Sequence, residues 1–295
     1  MVVIPRLLPS AQWAVAITIA AMSAFYRWVI IVSGFVLTVL AYQVAWPWLQ
    51  SGVGVYGPTA LQATHPAAAV VAILAATVVA GIICMTIAKM ISGLTGLVVL
   101  GAALGWAGLA LSPMRDVLYH GSASLVAADG FAWAVVVLAL SWITLTQCGP
   151  CRDVQPEHGH DPTDPLSSPE AIKMLIAGLA ALPVVWLVAQ SDFRGQTLAA
   201  TVLGGIAAGL VGRLWSPNVQ PVLLPVGVML SGTLACWIAA MLLPDAIDRA
   251  YTTGDVPNLL LPTPVDWAAG ALCGVGIGFH WATGFLQHDE TTAAT

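Results

Sequence analysis

Long uninterrupted apolar runs, separated by short polar or turn-forming breaks, dominate the chain from end to end. The clearest are Trp28–Trp46, Ala67–Ala88, Leu94–Leu111, Gly130–Gln147, Ala171–Ala189, Thr197–Leu214, Val222–Leu243 and Trp267–Leu286. Each approaches the ~20 residues that a helix needs to cross ~30 Å of hydrocarbon. None shows the strict polar–apolar alternation of a membrane β-strand, so the pattern predicts helices. The breaks carry turn chemistry: Lys89-Met90-Ile91-Ser92-Gly93 divides a stretch too long for one crossing, and Ser216-Pro217-Asn218 stops another. Trp28, Trp46, Trp48, Trp215 and Trp267 stand at run ends, where an amphipathic ring prefers the membrane interface.

The fold class this predicts is all-α, a polytopic transmembrane helical bundle of about eight spans. A ninth, short crossing is formed if the apolar segment 11–25 spans and turns at Tyr26-Arg27; it is otherwise an interfacial helix or a signal-like segment.

Composition fits that reading and excludes others. Of 295 residues, 59% are hydrophobic and 8% are charged, against about 25% charged in a soluble domain. Net charge is −5 and the nine basic residues are scattered, so no basic patch offers itself to nucleic acid. The expected partners are the lipid bilayer and other membrane subunits. Five cysteines make an odd count, and Cys84, Cys236 and Cys273 sit in apolar runs, which gives no disulfide framework.

Basic residues near span ends resist translocation and so set orientation. Arg6, Arg27, Lys89, Arg152, Lys173 and Arg213 fall on one side, and Arg115, Arg194 and Arg249 on the other. The bias places the 148–170 loop and the C-terminus in the cytoplasm, the membrane being the bacterial inner membrane.

An internal repeat is expected. Ala76-Thr77-Val78-Val79-Ala80-Gly81, followed by Lys89, resembles Ala200-Thr201-Val202-Leu203-Gly204-Gly205, followed at the same spacing by Arg213. The correspondence continues with Pro113 and Pro244, Asp116 and Asp248, Tyr119 and Tyr251, and Asp129 and Asp266. It divides the chain into an N-terminal apolar segment (1–27), a first four-helix half (28–147), a polar linker loop (148–170), a second four-helix half (171–286) and a polar tail (287–295). An even number of crossings per unit makes the halves parallel, related by a pseudo-twofold axis along the membrane normal.

Little in the sequence points to catalysis. Cys148-Gly149-Pro150-Cys151 has the spacing of a redox pair but lacks the strand-to-helix setting that lowers a thiol pKa. With His158 and His160 it supplies the two-thiol, two-imidazole set of a zinc site, against which stand the closely spaced Pro162 and Pro165 of an irregular loop. Asp245 and Asp248 could share a helix face, as in metal-linked diphosphate motifs, although Asp116 alone answers them in the first half. The spans read as nearly free of ionisable groups, His280 being the one clear candidate for an intramembrane polar site. Gly270 and Gly274 make a small-x3-small step for close helix packing, and Pro183 and Pro225 free backbone carbonyls within spans.

The function expected is a permease or channel-like carrier for a neutral or apolar solute, the alternative being a non-catalytic structural or assembly subunit of a membrane complex. An intramembrane enzyme fits worst, because no nucleophile is found with its base.

Overall fold

A computed structural model describes residues 9–50, 59–116, 123–147, 169–217, 219–242, 249–250, 252–253 and 255–293. Nine α-helices occupy them: α1 (Pro9–Ala45), α2 (Pro66–Met90), α3 (Gly93–Gly108), α4 (Ala123–Gln147), α5 (Pro169–Ala177), α6 (Ala181–Val188), α7 (Arg194–Trp215), α8 (Leu223–Leu242) and α9 (Pro264–Ala293). No β-strand occurs among the described residues.

Every apolar run of the sequence is helical, and the breaks fall where the turn residues stand. Ser92 separates α2 from α3 by capping the latter: its Oγ accepts from the Thr95 amide at 3.2 Å. The run 171–189 is one rod with a 3₁₀ turn at Gly178–Ala180. Pro183 has no N–H to offer the Leu179 carbonyl, so the helix tightens there. Pro225 lies in the first turn of α8, where its missing N–H leaves no intrahelical bond unmade.

Helix α1 is continuous from Pro9 through Tyr26 and Arg27, about 55 Å at 1.5 Å per residue. The expected tail begins inside α9, which continues to Ala293. Among the described residues six helices are long and apolar enough to cross a membrane: Ser23–Leu49, Pro66–Met90, Ser124–Thr146, Glu170–Val188, Arg194–Trp215 and Leu223–Leu242. Helix α3 has 16 residues, about 24 Å. Helix α9 opens with Pro264-Val265-Asp266-Trp267, and its residues to Val275 are wrapped in protein, so that part of its sequence need not satisfy lipid.

The outer faces of the bundle are apolar. Val71, Val78, Ile82, Leu187 and Leu242 are all more than half exposed, which is the surface of a helical membrane protein rather than one that meets water.

Helix α9 is the axis of the bundle. Its residues from Pro264 to Val275 are all buried, against α7, α3, α8 and α4. The contact with α7 is the most extensive, and small residues make it possible. Gly270, Gly274 and Gly278 of α9 face Thr201, Gly205 and Gly209 of α7, both sets at steps of four. A methyl added at Gly274 would overlap the Val202 carbonyl oxygen and lie 2.9 Å from Gly205 Cα; one at Gly209 would lie 2.7 Å from Phe279 N. The two backbones therefore touch over about two turns. On its other faces α9 receives Gly101 of α3 beside Ala269 and Cys273, and sets Trp267 on Gly232 of α8. Gly178 and Gly227 bring the α5–α6 rod equally close to α8. Contacts between the last helices and the rest are reciprocal: α9 packs on α3 while α4 packs on α8.

Gly274→Val is expected to lower the thermal midpoint of the detergent-solubilised protein sharply, since over-packing a close contact costs about 1–3 kcal/mol or more. Gly284→Ala, with nothing within 4 Å of the new methyl, should leave it unchanged. Thermal unfolding followed by tryptophan fluorescence makes the comparison.

Candidate functional site

The end of the bundle where α3 and α8 finish and α7 and α9 begin collects the buried polar chemistry. Helix α9 starts with a capping box. Thr263 precedes it, Pro264 takes the first helical position, and Asp266 the third. The Asp266 amide donates to Thr263 Oγ1 at 3.3 Å, and the Thr263 amide donates to Asp266 Oδ2 at 2.9 Å. A carboxylate here also meets the positive end of the helix.

Arg194, the first residue of α7, grips the same carboxylate with two prongs: Nη1 donates to Oδ2 at 2.7 Å and Nη2 to Oδ1 at 2.9 Å. Its remaining donors reach across to the end of α3, where the Gly108 carbonyl accepts from Nη2 at 2.6 Å and from Nε at 3.2 Å. Thr197 Oγ1 donates to Asp266 Oδ2 at 3.1 Å, and Thr201 Oγ1 to the Asp266 carbonyl at 2.8 Å. The two charged side chains are 12% and 1% exposed. With each charge matched and hydrogen-bonded, the network fastens three helix ends and leaves no group poised to react.

Asp129, in the second turn of α4, stands in contrast. It is 5% exposed and its Oδ2 has no hydrogen-bond partner. Its neighbour Gly130 lies against Thr233 of α8. Thr59 Oγ1 and both polar atoms of the Gln62 side chain are likewise buried without partners; they belong to the 3₁₀ turn Ala60–Gln62 and its flanking residue, which packs on α2 and α4. Between α4, α8 and α9 lies a cavity of about 10 Å³ lined by Met114, Val126, Gly130, Thr233, Cys236 and Trp267 among others, room for about one water.

At the opposite end, Arg213 is 4% exposed, lies 4.9 Å from the centre of the Phe279 ring and donates to the Pro217 carbonyl. Nearby, Glu170 accepts from Lys173 at 2.5 Å and from Ser216 at 2.8 Å.

Of the residues singled out in the sequence, His280 is exposed on the flank of α9 and does not line the cavity between α4, α8 and α9. Cys148, Cys151, His158, His160, Asp245 and Asp248 lie outside the described residues. Among the described residues no three His, Cys, Asp or Glu side chains come together as a metal site. Cys84, Cys236 and Cys273 are thiols rather than half-cystines. Asp129, Asp266, Arg194 and Arg213 stand at span ends in the sequence; the bundle buries Asp129, Asp266 and Arg213 and leaves the Arg194 side chain 12% exposed. Thr263-Pro264-Val265-Asp266 was the available signal, since a Thr-Pro-x-Asp start foretells a capped helix with its carboxylate turned inward. No protein-family model matches the chain, and no curated protein or solved structure matches it either.

Removing one partner of the buried pair should cost more than removing both. Arg194→Ala and Asp266→Ala are each expected to destabilise by about 3–5 kcal/mol, and the double variant by clearly less than their sum. Thermal unfolding of the four proteins closes the cycle.

Proposed function

We propose that the chain is a permease or channel-like carrier for a neutral or apolar solute. The observation that carries this reading is the cavity between α4, the last helix of the first half, and α8 and α9 of the second. It lies at the seam of the two halves, has polar lining at Thr233 and Cys236, and sits beside buried polar groups that a purely structural bundle does not need. The reciprocal packing of α9 on α3 and α4 on α8 supports the duplicated, parallel arrangement. In this reading the halves are closed on each other and the seam widens to admit solute. The chain lies in a bacterial inner membrane, with the 148–170 loop and the C-terminus in the cytoplasm, as the basic residues favour.

The second reading is a non-catalytic structural or assembly subunit that packs against other membrane proteins. What favours it is the α7–α9 seam, where touching backbones make a rigid core.

Proteoliposomes separate the two. Stopped-flow light scattering with gradients of urea, glycerol and erythritol should show permeation above that of protein-free vesicles. In a Cys148→Ser, Cys151→Ser background, a methanethiosulfonate reagent should block that flux by reaching Cys236, and Cys236→Ala should remove the block. Permeation equal to protein-free vesicles for every solute would leave the subunit reading.

A further inference from the structure

We propose that the groove between α1 and α2, on the flank of the bundle, is a binding site for one acyl chain of a membrane phospholipid. The groove measures about 350 Å³. Its floor is alanine, with Ala41 and Ala45 on α1 and Ala72 and Ala76 on α2. Val44, Trp48 and Val79 stand exposed as its walls. Both sides belong to segments long and apolar enough to span a membrane, so the open side of the groove meets hydrocarbon rather than water.

The two helices run antiparallel. Gly34 lies against Ile87, Thr38 Oγ1 is 3.8 Å from Cys84 Sγ, and Tyr42 donates to Thr77 Oγ1 at 3.3 Å. That register sets Trp48 level with Ala72 and Ala41 level with Val79, so the groove follows the helix axes for about 10 Å. One end is at Trp48, just past the end of α1, where an amphipathic ring marks the membrane interface. The other end lies deeper in the span. A chain that hangs from a headgroup at the interface enters a groove so placed along its length.

Size chooses between a lipid chain and a second helix. A volume of about 350 Å³ spread over about 10 Å leaves a cross-section of about 35 Å². A helix is about 10 Å across and needs more than twice that, whereas a single file of methylenes, in contact at about 4 Å, fits within it. The alanines do not serve close approach of α1 to α2, because small residues that let backbones touch, as along α7 and α9, leave no groove between them. Neighbouring lipid-facing positions carry the larger Leu37, Leu40, Val71 and Ile82, so the alanines form a local recess. Its lining atoms lack partners unless hydrocarbon fills it. Such a site goes beyond the transport reading and does not depend on it.

Native mass spectrometry tests it, on the detergent-solubilised chain supplied with palmitoyl-oleoyl phosphatidylethanolamine in mixed micelles. One lipid should persist on the monomer at a detergent excess that strips the rest. Ala41→Leu with Ala72→Leu, which fills the groove from its floor, should lower the retained fraction by about tenfold or more, since two displaced methylenes suffice. Val44→Ala with Val79→Ala, which removes two exposed walls and asks little of the fold, should also weaken retention. Val71→Leu, outside the groove, should leave it unchanged. Equal retention by the wild type and both groove variants overturns the proposal, as does a wild type that retains no lipid. A dimer that the leucine variant abolishes, with no lipid on either form, overturns it too and makes a second copy the occupant. Because this readout is lipid binding, a protein that holds the lipid and moves no solute retires the carrier reading and leaves the groove standing.

Discussion

The rest of the bundle depends on the backbone contact between α7 and α9. Lipid tails are as apolar as leucine, so burying leucine between two helices in a membrane gains little, and association must come from close packing and hydrogen bonds. Glycine provides the packing. With Gly270, Gly274 and Gly278 on one helix and Gly205 and Gly209 on the other, no side chain keeps the axes apart. Once α9 is seated there, its opposite faces are committed to Gly101 of α3 and Gly232 of α8. The last helix of the chain thereby becomes its centre, and elements far apart in sequence are drawn onto it.

Position at the centre explains the polar chemistry that α9 tolerates. Its Asp266 could not face lipid, yet inside the bundle Arg194 reaches it from α7 and two threonines complete its coordination. The same guanidinium binds the final carbonyl of α3, so one cation closes the C-terminal end of α3 and the acidic N-terminal turn of α9. Steric fit along the seam and electrostatic fit at its end specify one register of α9.

Much of the fold was legible in the sequence because its signals are local. Apolar runs near membrane length gave the helices, Ser92 and Pro217 gave their ends, and the Gly270-x3-Gly274 step announced a close contact. Properties that depend on which helix lies beside which were hidden. Nothing local says that α9 is central or that Arg194 turns inward to a residue 72 positions away. His280 is a titratable residue inside an apolar run, and the fold sets it on the exposed flank of α9. The apolar run starts at Gly130 and makes Asp129 a span-end residue, whereas α4 begins at Ala123 and carries Asp129 within its second turn.

Cross-linking α3 to α9 tests most directly the claim that the last helix is seated on α3. A Cβ at Gly105 would lie 3.6 Å from that of Ala269, within the separation that a disulfide spans. With Gly105→Cys and Ala269→Cys in a chain otherwise free of cysteine, and a protease site placed in the 148–170 loop, the two halves can be cut apart after mild oxidation in native membranes. The account predicts one band on a non-reducing gel and two after reduction. Two separate bands before reduction, with both thiols still open to alkylation, would contradict it.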